Sequence, residues 1–118
     1  MKKPYALVVE DDPKISSFYI DLLEHAGFDV VSDVNGNQYG ALLSTEPNLV
    51  ILDLHLPFAI GTDVLSDIRN KYPNTTIAVI TADLIKAKSL PARVDHVLIK
   101  PVGVERLLMI AESVKVAL

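Results

Sequence analysis

Cysteine and tryptophan are both absent from this 118-residue chain. The lack of cysteine excludes disulfides and thiolate metal sites and fits a reducing, cytoplasmic setting. Long apolar runs are also missing, and none approaches the ~20 residues of a membrane span. The start, "MKKPYALVVEDD", carries two lysines, but its apolar segment is short and runs into three acids, unlike a signal peptide. Positive charge is scarce as well. Eleven Lys and Arg face fifteen Asp and Glu, a net charge of −4. That is the wrong sign for a general nucleic-acid binder, so no direct nucleic-acid contact is expected. Repeats, low-complexity tracts and linkers do not occur. What is present is apolar: 50% of the residues are hydrophobic, which excludes disorder and leaves room for one domain, 1–118, around one core. A strand beginning at Tyr5 points to a true N-terminus.

Strand-like runs alternate with helical patterns along the chain. Tyr5 to Val9 is the first run. Ile15, Phe18, Tyr19, Leu22 and Leu23 then follow the spacing of a core-facing helical stripe, with Pro13 in its first turn and Gly27 at its end. "FDVVSDV" (28–34) mixes acids into a strand pattern, as an edge strand does, and 36–46 reads as a weaker helix closed by Pro47. Leu49 to Asp53 is a buried strand, followed by a turn through Pro57 and Gly61 and a helix carrying Val64, Leu65, Ile68 and Tyr72. Strands at Ile77 to Ile80 and Val97 to Ile99 come next, and a last helix presents Val104, Leu107, Leu108, Ala111 and Val114. Five β-α units with continuous apolar strands indicate a doubly wound parallel sheet covered on both faces.

In such a sheet ligands bind where the C-terminal ends of the strands line up. The first strand ends in Glu10, Asp11 and Asp12, the third in Asp53, the fourth in Thr81 and the fifth in Lys100. Converging carboxylates repel one another unless a hard cation relieves them, and Mg²⁺ favours carboxylates, waters and phosphate oxygens. Lys100 is a point charge suited to a phosphoryl oxygen, and Thr81 is a hydrogen-bond donor to another. Asp53, alone on the central strand, is the natural nucleophile for phosphoryl transfer. Asp12, before Pro13, is more ordinarily a helix cap.

With these residues in this order, the chain resembles the receiver domain of two-component response regulators, the CheY-like family. The stretches that carry the likeness are "LVVEDDP" (7–13), "PNLVILDLHLP" (47–57) with Gly61, "AVITA" (78–82) and "LIKP" (98–101). The resemblance implies a five-stranded sheet of order 2-1-3-4-5; the flavodoxin-like fold of CheY is a standard example of that order. It implies that Asp11, Asp53 and the His55 backbone carbonyl bind Mg²⁺ (or Mn²⁺), with Glu10 acting through water. Asp53 would accept a phosphoryl group from a sensor histidine kinase or phosphotransfer protein. Thr81 and Lys100 would hold the phosphoryl oxygens, and Lys100-Pro101 matches the family's cis peptide. His55 and Asp83, each two residues beyond a site residue, occupy positions that tune the lifetime of the phosphate. The output domain or protein is unspecified, and a homodimer is compatible with the family.

Two departures stand out. Eighteen residues separate Thr81 from Lys100, where a usual helix, strand and two loops need roughly 24. Pro91 lies in this segment, so the fourth helix is expected to be short or replaced by a turn. The family's aromatic switch position, three residues before the lysine, is Val97. His96 beside it should face the other way and lie at the surface, as should His25. Lys86, Lys88 and Arg93 make the segment locally basic. The leading reading is a phospho-accepting regulatory domain that catalyses only its own phosphoryl transfer and slow dephosphorylation. The alternative is a receiver-fold module that signals by binding without phosphorylation. A phosphatase of the haloacid dehalogenase type would want a second aspartate at 55 and a cap domain, and this chain has His55 and little room.

Overall fold

The computed structural model describes residues 3–42 and 45–118. Along the chain run β1 (Tyr5–Val9), α1 (Pro13–His25), β2 (Asp29–Ser32), α2 (Tyr39–Leu42), β3 (Leu49–Asp53), α3 (Gly61–Lys71), β4 (Thr76–Thr81), α4 (Leu84–Ala87), β5 (His96–Ile99) and α5 (Val104–Val116). The strand pairs are parallel, in the order β2-β1-β3-β4-β5 that the family resemblance implies. Among the described residues no helix is long and apolar enough to cross a membrane.

The central strand explains the architecture. All five residues of β3 are buried, which a strand achieves only with layers on both faces. Alternation sends Leu49 and Ile51 into one core with Tyr19, Leu23, Leu107 and Ile110, between the sheet and α1 and α5. Val50 and Leu52 point the other way, into a second core with Val64, Leu65 and Ile68 of α3. Each such side chain contributes about 1.5–3 kcal/mol by leaving water, so β3 anchors both layers.

Local signals fix the helix ends. Asp12 caps α1, as expected, accepting from Lys14 N and Ile15 N, and Pro13 occupies the first turn. At the other end Gly27 takes φ +100°, and Lys115 Nζ on α5 donates to the Ala26 carbonyl at 2.8 Å. A cation thus satisfies a carbonyl beyond the last turn of α1 and ties the two helices of that layer.

The segment before β5 has the expected irregularity. α4 is four residues long and buries none of them. Its layer is completed by an extended strap in which Leu90, Ala92 and Val94 alternate inward against the second core. The helix expected over 36–46 is confined to Tyr39–Leu42 among the described residues; Leu43 and Ser44 lie outside them. Glycines, a serine and a threonine in this stretch give little helical propensity. Lys100-Pro101 is cis.

Candidate functional site

Sheet order and parallel direction bring the ends of β1, β3, β4 and β5 to one edge. Carboxylate oxygens of Glu10, Asp11 and Asp53 gather there within 4.8 Å of one another. Glu10 and Asp53 are buried, whereas Asp11 is half-buried, so the cluster has a solvent-facing side. Asp53 Oδ1 accepts from the His55 backbone N–H at 2.9 Å, and its Oδ2 accepts from Lys100 Nζ at 3.0 Å. Lys100 Nζ also lies 3.0 Å from Glu10 Oε1. That approach is an ion pair without the alignment of a hydrogen bond, and Glu10 Oε1 keeps unused acceptor capacity inside the protein. Glu10 Oε2 accepts from the Asp12 N–H at 3.2 Å.

The charges act strongly on one another. Burial, together with the neighbouring carboxyls of Asp53 and Asp11, pushes Glu10 up to about 7. For Lys100 burial alone would lower the pKa, but the Asp53 and Glu10 carboxylates outweigh it and hold the ammonium above its ordinary range. Tyr19, on the adjoining face of α1, is raised to about 12 by burial and by Glu10. One lysine therefore faces three carboxyls, and a buried oxygen lacks a hydrogen bond. Hard oxygen donors in carboxylate form, with open access beside Asp11, suit a small divalent cation.

Thr81, 3% exposed, terminates β4, and its hydroxyl accepts from the Asp83 N–H at 3.0 Å. The Asp83 carboxylate caps α4 by accepting from Ile85 N and Lys86 N, so its side chain has a structural task beside the site. His55 is exposed at the mouth. Val97 is half-buried on β5, and alternation gives it the face opposite Leu98, which packs in the α1/α5 core. His96 is half-buried rather than fully at the surface; it lines a cleft at the opposite edge of the sheet with Asn48 and Ser113. His25 is exposed, as expected.

Three contributors escaped the sequence reading. Asp33, fully buried after β2, accepts backbone N–H groups from Asn35, Gly36 and Gln38. The sign of it is an acid two residues before Asn35 in an Asn-Gly pair, a turn signature. Arg69, on the buried face of α3, donates to the carbonyls of Arg93, Pro73 and Thr75 and to Asp95. Tyr19 belongs to the core-facing stripe of α1 and also stands against the charges of the site.

A family model described as the response regulator receiver domain matches residues 6–112. Among curated proteins, the DNA-binding dual master transcriptional regulator RpaA of Synechocystis sp. is 33% identical over 111 residues, 89% of this chain. The transcriptional regulatory protein CitT of Bacillus subtilis is 30% identical over 105 residues, 84% of this chain. The chain spans 46% of the length of each of these relatives. Among solved structures, a CheY-like receiver domain protein from Methanospirillum hungatei matches with a TM-score of 0.86 at 27% identity, covering 97% of this chain and 95% of that one. Response regulator TrrA from Thermotoga maritima, solved in complex with Mg²⁺ and beryllofluoride, matches with a TM-score of 0.83 at 26% identity, covering 94% and 98%. The family match runs from within β1 to within α5 and takes in all five strands of the sheet: the chain belongs to the response regulator receiver domain family.

Proposed function

We propose that this receiver domain accepts a phosphoryl group on Asp53 from the phosphohistidine of a kinase or phosphotransfer protein. The observation that carries the reading is the bracketing of Asp53, held at Oδ1 by His55 N–H and at Oδ2 by Lys100, beside two further carboxylates. A carboxylate oxygen of Asp53 attacks phosphorus as the P–N bond of the donor breaks, and the electron pair of that bond stays on the imidazole nitrogen. Asp11, Asp53 and the His55 carbonyl would hold Mg²⁺, with Glu10 behind them. The bound ion supplies charge neutralisation at the phosphoryl oxygens. Lys100 turns from Asp53 to a phosphoryl oxygen, and the Thr81 hydroxyl donates to another. His55 and Asp83 border the entry path of the water that hydrolyses the acyl phosphate.

The curated relatives are transcriptional regulators more than twice as long, so the output is a further domain or a partner protein rather than nucleic acid touched by these residues. Beryllofluoride, a tetrahedral stand-in for the phosphoryl group, gives a direct test by fluorine NMR. Bound resonances should appear for the wild type with Mg²⁺ and vanish without the metal or in Asp53→Asn. Equal signals from wild type and Asp53→Asn would remove Asp53 as the acceptor.

A further inference from the structure

β1 lies between β2 and β3 in the sheet, yet the loop after β2 reaches across to the loop after β3. Its anchor is Asp33. The carboxylate is 0% exposed and is met by three backbone N–H groups: Asn35 at 3.2 Å and Gly36 at 2.8 Å on Oδ1, Gln38 at 2.7 Å on Oδ2. A buried carboxylate without such partners is strongly unfavourable, so these bonds fix one turn geometry. In that turn Gly36 takes φ +82°, and its bare Cα faces the β3–α3 loop. A Cβ built there would fall 2.6 Å from Leu56 Cδ1 and 3.3 Å from Ala59 Cβ. Any side chain there would be strained by the dihedral and would displace Leu56.

Leu56 directly follows His55. The loop that holds them is closed by an antiparallel bridge between His55 and Ile60 and by Gly61 packed on the Leu54 backbone. The His55 N–H is bound to Asp53 Oδ1. His55 is thus held through its N–H by Asp53 and through the bridge by Ile60, and the next residue, Leu56, rests on Gly36.

We infer that Asp33 is a positioning residue for the divalent-cation site, acting through Gly36 and Leu56 on the His55 carbonyl. The inference rests on the metal reading given above. Partners behind metal ligands set affinity by holding the ligands in place.

Two variants test it. In Asp33→Asn, Oδ1 still accepts from Asn35 and Gly36, but the new NH₂ faces the Gln38 N–H. In Leu56→Ala, every Asp33 bond remains, while the Leu56 Cδ1 that meets Gly36 is lost together with the packing of that side chain on the second core. Because the chain has no tryptophan to report metal by quenching, Mg²⁺ binding is measured by titration calorimetry, with circular dichroism confirming the fold. Both variants should bind Mg²⁺ about ten-fold more weakly, the low end of the effect of losing a supporting partner. Their phosphorylation by acetyl phosphate should return toward the wild-type rate at saturating Mg²⁺, a recovery that a generally loosened structure would not show. Folded variants with Mg²⁺ affinity within two-fold of wild type would overturn the inference and leave the metal reading standing. If Asp33→Asn does not fold, Leu56→Ala decides alone. A wild type that takes up no Mg²⁺ would defeat the metal reading itself, and the inference with it.

Discussion

At the scale of single residues, the protein uses carboxylates in three physically different ways. Asp53 is buried at the strand mouth with both oxygens held, Asp33 is buried to shape a loop, and Asp95 is a partly exposed partner of two arginines. Only the first was legible from residue order, because an acid that ends a wholly apolar strand is conspicuous. Asp33 sat among other acids of an apparent edge strand, and its burial depends on backbone N–H groups that sequence does not display. Asp95 allows a pH prediction. Burial alone would raise its pKa, but the Ile77 N–H and the Arg69 and Arg93 guanidinium groups outweigh this and hold it below the ordinary carboxylate value. Its charge therefore stabilises the fold above the unfolded-state pKa of about 3.9, and the contribution is lost as pH falls through the lower folded-state value. In urea unfolding, the stability gap between wild type and Asp95→Asn should be full at neutral pH and shrink below about pH 4. A gap that stays constant from pH 7 to pH 3 would refute the assignment.

At the scale of elements, the fourth β-α unit is where this chain departs from a regular alternation. The short spacing between Thr81 and Lys100 and the presence of Pro91 were enough to expect a truncated helix. The replacement was also written in the sequence, in the two-residue alternation of Leu90, Ala92 and Val94, which is a strand-like period in a place where a helix was sought. What could not be read is the clamp. Arg69 Nε donates to Arg93 O at 2.9 Å, Nη1 to Pro73 O and Thr75 O, and Nη2 to Asp95 Oδ2. It is 8% exposed, and the buried Thr75 carbonyl takes its bond, whereas Pro73 O and Asp95 also accept from Arg93. Arg69→Ala should cost about 3 kcal/mol of unfolding free energy, since the buried Thr75 carbonyl loses a donor while Arg93 O, Pro73 O and Asp95 each lose one as well. A loss under about 0.5 kcal/mol, the range of ordinary surface substitutions, would show that the strap holds without it. The second helix is shorter than a closing proline suggests because Gly36 and Gly40 weaken the helix and the Asp33 turn holds 35–38 outside it.

At the scale of the whole molecule, topology does most of the functional work. Parallel strands in the order 2-1-3-4-5 deliver residues distant in sequence, Glu10, Asp53, Thr81 and Lys100, to one edge. The alternation of apolar runs and amphipathic stripes made that edge foreseeable, whereas the contact between the loops after β2 and β3 was not, since it joins loops of strands that are not neighbours. The free-standing charge pattern, three carboxyls against one lysine, is unbalanced in the way a cation and a phosphoryl group would correct. The most direct measurement of that claim is the intact mass of wild type and Asp53→Asn after incubation with acetyl phosphate, with and without Mg²⁺. The wild type should gain a single base-labile phosphate only when Mg²⁺ is present, and Asp53→Asn none. A folded, Mg²⁺-binding wild type that gains no phosphate, or an Asp53→Asn variant that gains as much, would contradict the account.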